Sequence, residues 1–375
     1  MNQGIPERRI SLFKAVLSEE AIRGVEQVLR SGWLGLGPRT AEFETAFASY
    51  VGSPHCVGMN SATSALHIAL RLLDLESDDE VITTALTFVS TNHAILYEGA
   101  KPVFADVQAD TGNLDPASIE EAITDRTRAV IIVHYGGQPC DLDEIYDIAA
   151  RHGIAVIEDC AHACGASYRG EPIGSHGGIH AFSFHAVKNL PMGDGGALTL
   201  TSEEHERRAR RLRWLGIDRS TYDRAAPGSY AWDYDVPEVG FKYHMNDIAA
   251  AIGIAQLPLV DAENARRNEI AIIYRGRLAD VPGVTMLRQY DDRTNSHHFF
   301  SILVESRDAL VDRLKEAGID TGVHYRRNDI YPMYEKAELP NTESFWSREL
   351  SLPMHLGLID EDVHYVCDRI ESGWQ

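Results

Sequence analysis

Short apolar runs recur along the first two thirds of the chain, and helical patterns separate them. The runs are "CVGMN" (residues 56–60), "EVITTALTFV", "KPVFADV", "RAVIIVHY", "IAVIEDC", "HAFSFH" and "GALTLTS". Several are apolar on successive residues, as strands covered on both faces are. Between them lie "SATSALHIALRLLDL", with Leu66, Ala69, Leu70 and Leu73 at helical spacing, "DPASIEEAITDRT" and "CDLDEIYDIAARHG". This alternation predicts an α/β layer built on a largely parallel sheet. No fixed-period repeat or low-complexity segment competes with that reading.

The pattern changes from about residue 246. A long helical stretch follows, interrupted by Pro258, which should kink or break it. After it, "HHFFSILVES", "RDALVDRLKEAG" and "IDTGVHYRR" read as strand, helix and strand of a smaller α+β domain. A chain of 375 residues suits two domains, here 1–255 and 256–375.

The formal charge of −21 argues against nucleic acid and anionic membrane as partners. It leaves room for a small anion held by a local nest of backbone amides. The five cysteines are scattered and odd in number, so a disulfide framework is not expected. No apolar run approaches the ~18 residues of a membrane span. The opening "MNQGIPERRISLFKAVLSEE" has no signal-peptide core, and the chain reads as cytoplasmic.

Four local features carry chemistry. Lys188, in "AFSFHAVKNLPMGDGGAL", follows Phe182, Phe184, Ala186 and Val187. Apolar neighbours can desolvate an amine, lower its pKa and fit it for Schiff-base work, though the same stretch also describes a solvated loop lysine. Asp159, in "IAVIEDCAHACGA", ends an apolar run where ligands of open α/β sheets collect. A buried carboxylate there wants a cation such as a protonated pyridine nitrogen; a plain helix cap is the other reading. His162 follows three residues later. The C-x-H-x-C spacing of Cys160, His162 and Cys164 has no second ligand pair, so no metal is expected there. In "GMNSATSALHIAL" a strand gives way to a helix among small residues. Free amides at that helix start suit a phosphate, and Ser61 or Thr63 would equally serve as a simple cap. "GDGG" (193–196) is not a dinucleotide fingerprint.

Taken together, "FSFHAVKN", "GDGG", "VIEDCAHACGA", "NSATSALHIAL" and "ALTFVSTNHAILYEGAKPVFADV" resemble the DegT/DnrJ/EryC1/StrS family of sugar aminotransferases. The likeness continues through "SGWLGLGPRTAEFE", "VGFKYHMNDIAAAIGIAQL" and "LSLPMHLGL", over almost the whole chain. It implies the fold type I of pyridoxal 5′-phosphate (PLP) enzymes, with a mostly parallel seven-stranded sheet and a smaller C-terminal domain. It implies that Lys188 forms the Schiff base with the cofactor and moves the proton, and that Asp159 pairs with the pyridinium. His162 would bond the cofactor's 3-oxygen, Ala62, Thr63 and Ser183 would hold its phosphate, and Phe88 would stack on its ring. A homodimer with shared sites is implied, Lys242 reaching the neighbour's phosphate. Lys242, His244 and Asp194 depart from the residues usual in the family.

The substrates implied are L-glutamate and a nucleotide-linked keto sugar, in the first place at C4 of an NDP-4-keto-6-deoxyhexose. His324, Tyr325, Arg326 and Arg327 in "GVHYRRND" would border the sugar; a solvated basic turn is the plainer reading. Transfer at C3, or to a keto-cyclitol or a keto sugar without a nucleotide, is the alternative. Members with histidine in place of the lysine dehydrate their sugars, so Lys188 points to amino transfer. A non-catalytic regulator is a further reading; the charge and the lack of a basic helix-turn-helix speak against DNA binding.

Overall fold

The computed structural model describes residues 8–218 and 234–374. The first seven residues of the stretch read for a leader lie outside them.

The apolar runs form the predicted sheet. Its strands are β1 (His55–Met59), β2 (Glu80–Thr84), β3 (Lys101–Ala105), β4 (Thr127–Val133) and β5 (Ala155–Asp159). A two-stranded ribbon follows, β6 (Ser167–Tyr168) with β7 (Glu171–Pro172), before β8 (Ile179–Ser183) and β9 (Gly196–Leu200) return to the sheet. The seven-stranded order is β1-β9-β8-β5-β4-β2-β3. Only β9 runs against the rest. β2, β8 and β9 are buried at every residue, which is why they carry no polar alternation. One apolar cluster, with Phe43, Phe47, Val130, Ile132, Phe182 and Phe184, covers one face. A second, with Leu66, Ile68, Ile131, Ile157 and Leu198, covers the other.

The C-terminal part has its own sheet, β10 (Val284–Met286), β12 (Phe300–Val304) and β13 (Glu349–Leu352), in the order β10-β12-β13. The pair β11 (Arg293–Thr294) instead joins the ribbon of β6. Pro258 does break the helical stretch: a short 3₁₀ turn, Leu257–Leu259, separates helix Asp247–Gln256 from helix Val260–Leu278. A third apolar cluster packs Ile270, Tyr274 and Leu278 of the second helix on Ile302, Leu350 and Val366, and takes in Ile10 from the opening segment.

The second expected strand of this part, "IDTGVHYRR", is not one. It touches β13 through a single bridge, Gly322 with Ser351. Two residues further on, the ladder ends because the His324 amide donates to the Glu349 side chain at 2.7 Å instead of to a backbone carbonyl. The strand lies later, in "ELSL".

Candidate active site

The C-terminal ends of the parallel strands point to one edge of the sheet, and the sequence-predicted groups gather there. Asp159 is the last residue of β5 and is 4% exposed. Thr91 Oγ1 donates to its Oδ2 at 2.8 Å, and the Ala161 amide to its Oδ1 at 3.0 Å. No α-helix follows, so Asp159 is not a helix cap. Burial raises its pKa, and the two donors and nearby Lys188 only partly offset that. Among the described residues no cation lies in hydrogen-bonding range of this buried carboxylate, which suits it to a cationic ligand.

Lys188 sits on the loop between β8 and β9. Phe184 closes the base of that loop, its amide donating to Gly195 O and its carbonyl accepting from Met192 N, both at 2.9 Å. The neighbouring Asn189 is buried and donates through Nδ2 to Asn264 Oδ1 and Ser296 O, both at 2.7 Å. Desolvation lowers the pKa of Lys188 to about 8, against the pull of Asp159. Its Nζ lies 3.2 Å from His298 Nε2.

Three imidazoles surround that amine. His298 is stacked between Phe13 (centroids 5.5 Å apart) and His162 (4.8 Å). His162 Nε2 is 2.9 Å from the Tyr325 hydroxyl, and its ring stacks near that of Tyr325. His324 lies flat on Phe299 at 4.4 Å and bonds Ser351 Oγ through Nδ1. Burial, with the charge of Lys188, drives His162 and His298 well below the usual histidine range and His324 to about 3. All three are neutral at pH 7, so they place no charge beside Lys188, and Asp159 is the group that opposes loss of its proton. The Nδ1 atoms of His162 and His298 are buried and without a protein partner.

The third strand end supplies the helix terminus. Helix Ala62–Arg71 begins directly after β1, capped by Ser61, whose Oγ accepts from the Ser64 amide at 3.1 Å. The amides of Ala62 and Thr63 lie in the first turn and have no intrahelical acceptor. Gly196 faces both Met59 of β1 and Ser183 of β8 in register, so these amides and Ser183 share one end of the sheet. A Cβ on Gly196 would come within 2.6 Å of Ala62 N and closer still to Ser61.

Phe88 caps helix Val89–Tyr97 and is 58% exposed, its ring 6.2 Å from that of Tyr325. A large aromatic so exposed beside Tyr325 has a free face on which a flat ligand can rest. The elements present are a depressed lysine, a buried acceptor carboxylate, helix-start amides and an open aromatic face. That donor set fits PLP: amine for the aldehyde, carboxylate for the ring nitrogen, amides for the phosphate.

The remaining expectations divide. Tyr325 and His324 line the site. Arg326 is exposed and lies over Tyr331, 5.6 Å from its ring. Arg327 is a correction: it is buried and bonded to Asp329 in a fork and to Glu343, so its guanidinium is committed within the protein. Lys242 is exposed, its Nζ 3.5 Å from the centre of the Trp214 ring, while its carbonyl accepts from Asn60 Nδ2 at 3.3 Å. It therefore borders the helix start without reaching Lys188. Cys160, His162 and Cys164 form no metal cluster among the described residues. His298 is the residue that sequence reasoning missed.

The profile of the DegT/DnrJ/EryC1/StrS aminotransferase family matches residues 16–371. The chain belongs to that family. Its relatives include SpsC of Bacillus subtilis (strain 168), a spore coat polysaccharide biosynthesis protein, 39% identical over 95% of both chains. The crystal structure of AtS13 from Actinomadura melliaura is 43% identical, covers 98% of this chain and all of that one, and superposes with a TM-score of 0.92. The PLP form of Spr1654 from Streptococcus pneumoniae, described as a sugar aminotransferase, is 31% identical over 97% of this chain and 98% of that one, with a TM-score of 0.91. The family confirms the mixed α/β fold with its large, mostly parallel sheet. Among the described residues no helix is long and apolar enough to cross a membrane.

Proposed function

We propose that this aminotransferase uses PLP to move an amino group from L-glutamate to a nucleotide-linked keto sugar, at C4 of an NDP-4-keto-6-deoxyhexose. The observation that carries the reading is Lys188, an amine with a pKa near 8 at the mouth of the sheet, in the same site as a buried Asp159. The PLP form of Spr1654 supports the cofactor, and the polysaccharide role of SpsC supports a sugar.

Bound there, PLP supplies an electron sink for the bond broken at the amino-bearing carbon. Asp159 holds a proton on the ring nitrogen, because a cation beside it relieves its buried charge. His162 orients the ring from the side of Tyr325. Ala62, Thr63 and Ser183 anchor the phosphate, and Phe88 covers the open face. Lys188 Nζ takes and returns a proton at the substrate carbon, which needs a pKa near the working pH. His324 and Tyr325 shape the sugar pocket. Each site is completed in a homodimer, Lys242 of one chain reaching the phosphate held by the other, and the enzyme works in the cytoplasm.

The test starts with protein reconstituted with PLP. L-Glutamate should bleach the visible band, and a keto sugar should restore it while an amino sugar forms. A panel of 3-keto and 4-keto nucleotide sugars and keto-cyclitols then ranks the acceptors by kcat/KM. Protein that stays colourless with PLP would refute the enzyme. A bleached band restored best by a 3-keto sugar or a cyclitol would refute the C4 assignment alone.

A further inference from the structure

On the sheet face away from Lys188, a polar island lies inside the large apolar core. Glu158 and His180 are paired residues of neighbouring strands β5 and β8, and both are fully buried. They sit among Val156, Phe182 and Cys140. A carboxylate there needs strong partners.

Glu158 has two ordinary ones. The Cys140 amide donates to His134 Nδ1 at 3.1 Å, so the proton of that ring is on Nε2, which donates to Glu158 Oε2 at 2.9 Å. The Tyr146 hydroxyl donates to Oε1 at 2.6 Å. These two donors hold the carboxylate in place as a hydrogen-bond acceptor.

The third partner is different. His180 Nδ1 faces the Thr199 carbonyl at 3.4 Å and the Thr199 hydroxyl at 3.2 Å. That hydroxyl donates its proton to Gly174 O at 3.0 Å, so both oxygens present lone pairs to Nδ1. Nδ1 therefore carries a ring proton, and Nε2 lies 3.3 Å from Glu158 Oε1. Nε2 makes no directed hydrogen bond with that oxygen. A ring nitrogen and a carboxylate oxygen this close, with no directed bond between them, leave a place for a shared cation. A third group points the same way: a ring nitrogen of His176 lies within 4.8 Å of both ligand atoms, and His176 Nδ1 is buried without a partner.

We propose that Glu158, His176 and His180 bind a divalent transition-metal ion, with zinc as the probe of choice. Two nitrogens and one carboxylate oxygen are a donor set for zinc and its neighbours. Metal bonds of ~2.0–2.1 Å place adjacent tetrahedral ligands about 3.3–3.4 Å apart, the separation of His180 Nε2 from Glu158 Oε1. In such a site each lone pair points past the neighbouring ligand to the shared centre, which matches the missing directed bond. His134 and Tyr146 orient the carboxylate, and Thr199 orients His180, as outer partners of ligands do. The ion would tie the loop that carries His176 to β5 and β8, behind Asp159 and Ser183.

The proposal stands apart from the assigned reaction, so it is tested on metal content and stability. Untagged full-length protein is stripped with chelator, equilibrated with zinc and desalted. Wild type should retain one zinc per chain, and zinc should raise its Tm. His180→Gln and His176→Gln should each weaken zinc affinity at least tenfold in competition with a chromophoric chelator, and should lose the rise in Tm. If His180→Gln fails to fold, His176→Gln, on a half-buried loop position, decides alone. Wild type that retains no zinc, or variants that retain it equally, would overturn the site and leave a protonated His180 as the partner of Glu158.

Discussion

Lys188 Nζ lies 3.2 Å from His298 Nε2, and the two residues come from opposite parts of the chain. Lys188 follows β8 of the large sheet; His298 precedes β12 of the small one. The imidazole is neutral, so Nε2 can accept a proton of the amine and turn the amine's lone pair outward. His298 is thus a positioning residue for Lys188. We expect His298→Phe, which preserves stacking on Phe13 and His162, to lower kcat ~10–100-fold with a smaller change in KM. His298→Gln, which keeps an acceptor, should recover part of the loss. Equal kcat in His298→Phe and wild type would show that the contact is packing alone.

The depressed pKa of Lys188 predicts a pH profile. A buried cationic group titrates below its usual value because desolvation penalises the charged form. The amine is protonated below pH 8 and free above it. Capture of PLP by cofactor-free protein should therefore accelerate as pH rises through about 8, where an ordinary lysine would respond only near 10.5. Stopped-flow absorbance reads the capture rate. A midpoint near 10.5 would mean that burial does not tune the amine.

Asp159→Asn replaces a proton-holding acid with a neutral amide of the same shape. The partners Thr91 and Ala161 remain, so folding should be little affected. The proton on the ring nitrogen loses its counter-charge, and kcat should fall by orders of magnitude, about 10²–10⁴-fold. Cofactor retention and kcat are both measurable, and a variant with unchanged kcat would reduce Asp159 to a structural role.

These tests also mark what the sequence made legible. Asp159 and Ser183 end strands, the Ala62–Thr63 pair starts a helix, and His162 and Lys188 lie on the loops that follow those strands; local patterns reveal such ends. His298 escaped because nothing in "HHFFSILVES" beyond its paired histidines distinguishes it from the first residues of a strand; only the packing of the C-terminal sheet against the large one brings it to Lys188. Arg327 misled for the reverse reason. Its partner Asp329 is two residues along, and a charge run in sequence does not show which cation is already bonded. The strand expected at "IDTGVHYRR" failed because a side chain, Glu349, replaced a backbone acceptor.

Glu349 itself carries a stability prediction. It is fully buried and accepts from Ser301 and Ser351, both at 2.6 Å, and from the His324 amide at 2.7 Å. Desolvation exceeds these contributions and raises its pKa from 4.5 to about 7. A carboxyl raised on folding favours the native state fully below its unfolded pKa, and that contribution is lost as pH rises through the folded value. The window is pH 4.5 to 7, and the change is on the order of 3 kcal/mol, at ~1.4 kcal/mol per pKa unit. Glu349→Gln should remove this dependence, so wild type should lose stability relative to the variant across that window in urea titrations. A difference that stays constant from pH 4.5 to 7.5 would show that Glu349 is ionised as readily in the folded protein as in the unfolded chain.

Gly196→Ala tests the phosphate end. The added Cβ would lie 2.6 Å from the Ala62 amide nitrogen, below any real contact, and the obstacle is backbone on a helix start. The helix must shift away from β9, or β9 from its two neighbours β1 and β8. Either movement carries the amides of Ala62 and Thr63 away from Ser183. We expect the affinity for PLP to fall at least tenfold, and the Tm to drop with it, because the strand is buried on both faces. Pyridoxal without its phosphate separates the two effects. Lys188 should still capture it at close to the wild-type rate if only the phosphate end is disturbed, whereas loss of both ligands in parallel would place the damage in the fold and not in the cradle.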